Sequence, residues 1–513
     1  MEYFNIEHWK WLFSQDFFDI LSFVMNDGVL KVVAATILLG VAWCVWYVAI
    51  RERPVTTHGS AAWGGAEDAE KAGLVAKPGD RVLLGKIGDK WLGAEYHSLV
   101  CAKTRGGKGV GVIIPTLLTY RGSIICNDIK GENYAITAAR REKMGQNVYV
   151  VDPYHEIAEQ THCFNPLDYI KNGSPDATTL ARALAHTMSG GGAGEEDFWV
   201  KSGRNVLVTF ILYVCAKFSG PDRNLGKVRE MLTQSAEKKT EMLKEMQSMQ
   251  DFDGNIAKGA NKILEIQGDG EEKNEMLLSI FATVDTMCDF LDDPRIAHVL
   301  SRTDFRMEMF KYEPSTLYVV VSPGNLAVSQ MLLRMVYSYA LNQNQKNERP
   351  VRAQEMELEK MRHPLVFLMD EFAQLGKFDA VKNAMPIAAG FDIRFCIIIQ
   401  GLSQLTDHYK EGGQEFLNNA IKLFIGAEDT KTAEQISEMC GDTTVKTQSK
   451  DEKSGRMTSS YTSRRLVTVG EAMQAKVERP FLLAGGMKPL RVDRITYYTD
   501  KYFAGKYGKY SAG

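Results

Sequence analysis

The spacing of hydrophobic positions changes character several times along the chain. Residues 9–25, "WKWLFSQDFFDILSFVM", place Trp9, Phe13, Phe17, Leu21 and Val24 at helical spacing, an apolar stripe on a charged segment. Val32–Ile50, "VVAATILLGVAWCVWYVAI", runs 19 residues without a formal charge. As a helix it would be about 28 Å long, close to the thickness of a bilayer hydrocarbon core. Strand-like and helix-like patterns then alternate: a strand over 97–103, a helix over 108–120 despite Pro115, strands over 122–130 and 147–153, and a helix over 132–144. From Asp176 to Arg302 the period is helical throughout, as in "FWVKSGRNVLVTFILYVCAKF" and "NEMLLSIFATVDTMCDFL". Strand runs return at 316–323, 364–371, 393–400, 422–427 and 480–485. Their near-continuous hydrophobicity fits strands buried on both faces of a parallel sheet.

This pattern predicts an α/β fold with a mostly parallel sheet, an all-α domain inserted into it, and a membrane anchor in front. The expected divisions are an anchor over 1–50, a juxtamembrane linker over 51–89, an α/β domain made of 90–175 and 303–513, and an all-α domain over 176–302. The linker holds a short hairpin around "RVLLGKIGDKWLGAEY"; "SGGGAGEED" (189–197) is a flexible approach whose acids suit the next helix's first turn. The charged stretch 344–362 and the Ser/Thr/Lys-rich 447–465 are expected to be mobile.

Within the anchor, 32–50 reads as one transmembrane helix, with Trp43, Trp46 and Tyr47 near its C-terminal end where amphipathic rings favour the interface. Arg51 and Arg53 follow at once, which places the long C-terminal part in the cytoplasm. Lys10, Asp16 and Asp19 would each cost roughly 2.5–3.5 kcal/mol near a bilayer centre. Residues 9–25 therefore read as an interfacial helix, or as one packed on a partner membrane protein.

Composition narrows the function less. A chain of 513 residues implies two or three domains, and a net charge of −3 excludes a global field that would attract nucleic acid. Any DNA contact must come from a local basic patch or channel. The eight cysteines are scattered without a C-x-x-C pair, which favours reduced structural thiols over disulfides or a zinc site.

The candidate chemistry begins at "CAKTRGGKGVG" (101–111), a strand, a glycine-rich turn and a helix start. The turn's backbone N–H groups and the positive helix end suit a polyphosphate, and Lys108 would reach the β- and γ-phosphates. Two positions depart from G-x-x-x-x-G-K-[ST]: Ala102 stands for the first glycine and Gly109 for the hydroxyl residue that usually ligates Mg²⁺. Alone, the loop reads equally well as a turn built for close packing. "PLVFLMDE" (364–371) adds a hydrophobic strand ending in Asp370 and Glu371, the first able to hold Mg²⁺ through water and the second to polarise an attacking water. "IRFCIIIQ" (393–400) ends in Gln400, a candidate γ-phosphate sensor. "CNDIKGEN" puts Asp128 and Lys130 at a further strand end, where turn chemistry is the simpler reading.

Taken in order, "AKTRGGKGVGVIIPTLL", "NDIKGENY", "DPYHEIAEQTHCFNPLDYI", "DFWVKSGRNVLVTFILYV", "VVVSPGNL", "LMDEFAQLGKFDAV", "IIIQGLSQL" and "SRRLVTVGEAM" resemble the coupling proteins of type IV secretion and conjugation, the TraG/TraD family. The match runs from about residue 97 to 475. The resemblance implies a RecA-like P-loop ATPase domain carrying the all-α domain, anchored in the bacterial inner membrane and assembled as a homo-hexamer. The implied cofactors are ATP and Mg²⁺. The implied partners are the secretion channel and a relaxase with single-stranded DNA, or effector proteins. It assigns phosphate binding to the loop Ala102, Lys103, Thr104, Arg105, Gly106, Gly107, Lys108, Gly109 and Val110, magnesium to Asp370, the attacking water to Glu371 and sensing to Gln400. A G-K-G ending is common in this branch of the family, which softens the departure at Gly109. Arg394 is the candidate arginine supplied to a neighbouring subunit, with Arg464 and Arg465 behind it. The family usually has two spans with a periplasmic loop between them, and this sequence offers one clear span; no long acidic tail follows "YYTDKYF". The alternative to a motor is a membrane-bound nucleotide-binding docking receptor with negligible turnover, suggested by the missing hydroxyl after Lys108.

Overall fold

The computed structural model of the protein describes residues 35–44, 56–190, 197–267, 271–346, 350–358, 363–450 and 457–509. A hairpin of β1 (Val82–Ile87) and β2 (Lys90–Ala94) comes first. There follow β3 (Ser98–Ala102), β4 (Ser123–Asp128), β5 (Asn147–Val151), β6 (Ser315–Val320), β7 (Leu365–Met369), β8 (Ile393–Ile399) and β9 (Ile421–Ile425). The last strands are β10 (Asp442–Lys450), β11 (Met457–Arg465), β12 (Phe481–Leu483) and β13 (Leu490–Arg491). Among the described residues, nine strands form one sheet in the order β13-β12-β9-β3-β8-β7-β4-β6-β5. The strands from β9 to β5 are parallel, and β12 and β13 close one edge antiparallel.

Each central strand feeds two cores, which is why its sequence is apolar without alternation. On one face Leu99, Ile125, Phe367 and Ile397 join the helical residues Leu207, Phe210 and Ile280. On the other, Val100, Ile124, Leu368 and Ile398 pack with Val82, Leu92 and Val112. The second face is covered by α1 (Ile114–Thr119) and by the β1–β2 hairpin. Residues 66–89, within the stretch 51–89 expected as a linker, are thus folded: Ala69, Leu74 and Leu83 are buried, and the hairpin expected around 81–96 is present. Pro115 follows directly on the π-helical turn Gly109–Ile113, at the second position of α1. The next helix, α2 (Glu132–Lys143), carries Arg141 into the core, where its guanidinium donates to the carbonyls of Leu117, Tyr120 and Gly122 and to Thr316.

From Ala177 to Val299 every described element is helical. The main helices are α3 (Ala177–Met188), α4 (Phe198–Lys217), α5 (Leu225–Leu232), α6 (Ala236–Met246), α7 (Asn255–Gln267), α8 (Glu271–Cys288) and α9 (Pro294–Val299). Asp197 caps α4 by accepting from the Trp199 N–H at 3.4 Å; it stands just before the first turn, where an acid was expected and none lies. Then α10 (Leu326–Asn344) returns the chain to the sheet, and α11 (Leu402–Tyr409) and α12 (Thr430–Cys440) follow β8 and β9.

The chain divides into two compact units. The sheet and all of these helices lie in Ala61–Gly441 with Arg465–Gly513; Asp442–Arg464 groups with the chain before Ala61. In the second unit the stretch 447–465, expected to be mobile, is largely strand. β10 and β11 pair, with the Thr447 hydroxyl bonded to Ser460 Oγ at 2.8 Å and donating to its carbonyl at 3.2 Å. Alternating Thr, Val and Ser in these strands supply the β-branched and hydroxyl pairs that hold a solvent-facing ribbon.

The anchor is not established by the structure. Among the described residues no helix is long and apolar enough to cross a membrane. Of the expected span 32–50 only 35–44 is described, as helix with Leu38, Leu39 and Trp43 exposed, and about 15 Å of helix is half a bilayer. The expected interfacial helix 9–25 and most of the Gly-rich 189–197 lie outside the described residues. Among the described residues the cysteines are unpaired, and all except Cys44 are buried.

Candidate nucleotide site

Parallel register brings distant residues to one edge of the sheet. Ala102 pairs with Ile425, Cys101 with Ile399, Met369 with Ile397, and Cys126 with Leu368. The residues that leave these strands, 103–108, 128, 370–371 and 400, therefore share the C-terminal edge, the usual ligand side of a parallel α/β sheet.

The glycine-rich loop is a tight turn. Gly106 N–H donates to the Lys103 carbonyl at 2.7 Å, and Arg105 (φ 57) and Gly107 (φ +89) are left-handed. Gly107 is needed twice over: for that backbone, and because a Cβ there would stand 2.5 Å from Arg494 Nη1. Lys108 starts the helix, whose first turn, Gly109–Ile113, is π-helical before α1 continues it. Such wide turns recur at functional sites. Ala102 ends β3, and Val110 lies in the wide turn against Ile114 and Leu118.

Four of the residues singled out in the sequence come together here. Lys108 Nζ lies 2.7 Å from Asp370 Oδ1 and also contacts Glu371 Oε1. The Gln400 amide donates to both Glu371 oxygens, at 3.1 and 3.0 Å. Burial works against the Lys108 charge, but the Asp370 and Glu371 carboxylates outweigh it and raise its pKa. Burial pushes the Asp370 carboxyl up, with Lys108 opposing the rise. Glu371 is itself left-handed (φ 49, ψ 46), a costly conformation for a non-glycine residue and one concentrated at functional sites.

Four further residues that the sequence reading gave no role position the site. Asn127 accepts from Asp370 N–H at 2.8 Å and donates to its carbonyl, while Tyr337 on α10 donates to Asn127 Oδ1 at 3.0 Å. Glu428, just after β9, accepts from Thr104 N–H and Oγ1, both at 3.1 Å. Arg494 donates to the Gly106 carbonyl at 3.0 Å. Only Asn127 had a signal in the sequence, a polar residue at the end of an apolar strand.

Other expectations separate from this cluster. Arg394 lies at the opposite end of β8, about 20 Å away at 3.3 Å per residue, donating to the Asp80 carbonyl and Tyr120 hydroxyl. The five intervening strand residues, Phe395 to Ile399, keep it from the Lys108 site of its own chain. Arg464 and Arg465 end β11; Arg464 falls in the other unit, and Arg465 begins the segment Arg465–Gly513 that belongs to the unit of the sheet. Asp128 serves the turn: its carboxylate accepts from Tyr134 N–H at 2.8 Å, and burial pushes its pKa up to about 6.

The donor set fits a magnesium nucleotide. Among the described residues no group of three His, Cys, Asp or Glu could hold a metal by itself. A cation here would need phosphate oxygens and water beside a carboxylate, the coordination Mg²⁺ prefers. Of the groups expected to replace a hydroxyl at position 109, Thr104 is engaged by Glu428, Asp128 by its own turn and Asp370 by Lys108.

Comparison with known proteins agrees. A family model described as "Type IV secretory system Conjugative DNA transfer" matches residues 60–513. "Protein VirD4" of Agrobacterium fabrum is 31% identical over 473 residues, covering 86% of this chain and 66% of the relative. A "Conjugal transfer protein TraG" of Escherichia coli is 27% identical over 523 residues, 93% of this chain and 78% of the relative. The chain thus spans just under two thirds of the VirD4 protein's length. Among solved structures, the plasmid coupling protein TrwB in complex with the ATP analogue ADPNP superposes with a TM-score of 0.61 at 15% identity, covering 87% of this chain and 95% of that one. TrwB in complex with ADP and Mg²⁺ gives 0.59 at 14%, covering 85% and 94%. The fold is that of an α/β P-loop ATPase, and the chain belongs to the type IV secretory system conjugative DNA transfer family.

Proposed function

We propose that the chain is a coupling ATPase: it binds MgATP at the Lys108 loop, hydrolyses it, and uses the energy to pass DNA or nucleoprotein, or effector proteins, into a type IV secretion channel. The observation that carries this reading is the convergence of Lys108, Asp370, Glu371 and Gln400 on one sheet edge. Lys108 and the loop amides bind the β- and γ-phosphates, and Asp370 holds magnesium through water. Glu371, oriented by the Gln400 amide, takes the proton of the attacking water; Gln400 senses the γ-phosphate through that same contact. Magnesium when bound neutralises the charge that develops on the phosphate oxygens. Lys108 must leave the carboxylates when phosphate arrives, so the empty and loaded sites differ in where this one charge sits.

The reading includes a homo-hexamer at the bacterial inner membrane, an N-terminal anchor over 32–50, and a neighbouring subunit's arginine completing the site. Its domains are those expected from the sequence, with 176–302 as the all-α part. The relatives named VirD4 and TraG, and TrwB with its bound nucleotides, support it by similarity. ATP turnover by the purified chain tests it. Glu371→Gln should lower kcat by about 100-fold or more while still binding nucleotide, and Lys108→Ala should lose binding. Unmutated protein, shown to be assembled, with no turnover above the Glu371→Gln level would leave only the docking receptor.

A further inference from the structure

We infer that Arg494, near the C-terminal end of the chain, is a positioning residue for the phosphate-binding loop; this rests on the nucleotide site proposed above. The loop and Arg494 are 388 residues apart, yet the side chain lies across the loop's back. Its Nη1 donates to the Gly106 carbonyl at 3.0 Å. Its guanidinium and Cδ fill the space over Gly107, and its Cγ and Cδ lie 2.9 and 3.3 Å from where a Gly111 Cβ would be. Two of the motif's glycines are therefore glycine because this one side chain covers them.

The peptide between Gly106 and Gly107 is planar and trans, so its C=O and N–H point in opposite directions. A guanidinium that fixes the Gly106 carbonyl turns the Gly107 N–H away from itself, as a donor for an anion. The cation is otherwise poorly satisfied. Nε is buried with no hydrogen-bond partner among the described residues, and Glu478 is a loose 3.8 Å away. The guanidinium is part-buried and under-bonded, and the site that gains from its charge is the adjacent phosphate loop. The segment is anchored so that Arg494 keeps its place: Arg494 N–H donates to the Glu478 carbonyl at 3.0 Å, and Ile495 and Phe503 pack with Ile114 and Leu118 behind the loop.

The test is the affinity of a fluorescent ATP analogue, with KM and kcat for ATP, in the full chain carrying Arg494→Met or Arg494→Lys. Methionine keeps the aliphatic cover over Gly111 but cannot hold the carbonyl or supply charge. Arg494→Met should weaken nucleotide binding about tenfold or more, through KM rather than kcat, with an unchanged nucleotide-free melting temperature. Arg494→Lys should recover part of the loss. Unchanged affinity and KM in Arg494→Met would overturn the inference, as would a loss matched by a lower melting temperature and not relieved by lysine. If the unmutated chain binds no nucleotide, the site reading itself fails, which is a different result.

Discussion

At the residue scale, the site is a set of exchanges between few charges. Lys108 is shared by two carboxylates, Glu371 is held by an amide, and Asp370 is held through its backbone by Asn127. Gly109 is the informative departure. A Cβ added there meets nothing within 4 Å, so the missing hydroxyl does not reflect a lack of room. Gly109→Ser should therefore fold normally, with a melting temperature within about 2 °C of the parent, because surface-like substitutions without a clash stay near ±0.5 kcal/mol. It should also lower the Mg²⁺ concentration needed for half-maximal ATP turnover, by adding the ligand the loop lacks. A magnesium titration of both proteins checks this. The glycine-rich turn, the acid pair and Gln400 were legible in the sequence because each ends an apolar run, where polar atoms must serve an edge. Arg494 and Glu428 were not. Each is one charge in a charged, irregular stretch, and its meaning comes only from contacts across more than 300 residues of chain.

At the element scale, the central strands were readable because burial on both faces leaves an unbroken apolar signature. The β10–β11 ribbon was misread as mobile because its stability comes from cross-strand hydroxyl pairs, not from a buried face. The β1–β2 hairpin was expected within a linker; that Val82, Leu84 and Leu92 carry it into the core was not, because two turns and a glycine interrupt its pattern. The start of α2 gives a pH prediction. Asp128 accepts backbone amides there while burial raises its pKa to about 6. The unfolded value is about 3.9, so the folded state holds an extra proton between roughly pH 4 and 6. Stability from this group accordingly falls as pH rises through that window, by a total on the order of 1–3 kcal/mol. Melting temperatures of the parent and Asp128→Asn from pH 4 to 7 should converge toward the acid end once this slope is removed. Parallel curves would show that Asp128 does not titrate in the window.

At the scale of the whole molecule, one sheet edge collects the groups of the nucleotide site, while the helical segment Ala177–Val299 packs on one face of the same sheet. Loop, acids and sensor are thus carried by the strands whose other ends and faces support the rest of the unit. The expected arginine is the part the single chain does not assemble, since Arg394 sits at the far edge of β8. The claim that hydrolysis at this site powers transfer is tested most directly by conjugation frequency in donor cells. Their own copy would be replaced by the unmutated or the Glu371→Gln chain at equal membrane abundance. The account predicts loss of transfer by about 100-fold or more with Glu371→Gln, in proportion to lost turnover. Transfer at the unmutated frequency would contradict it.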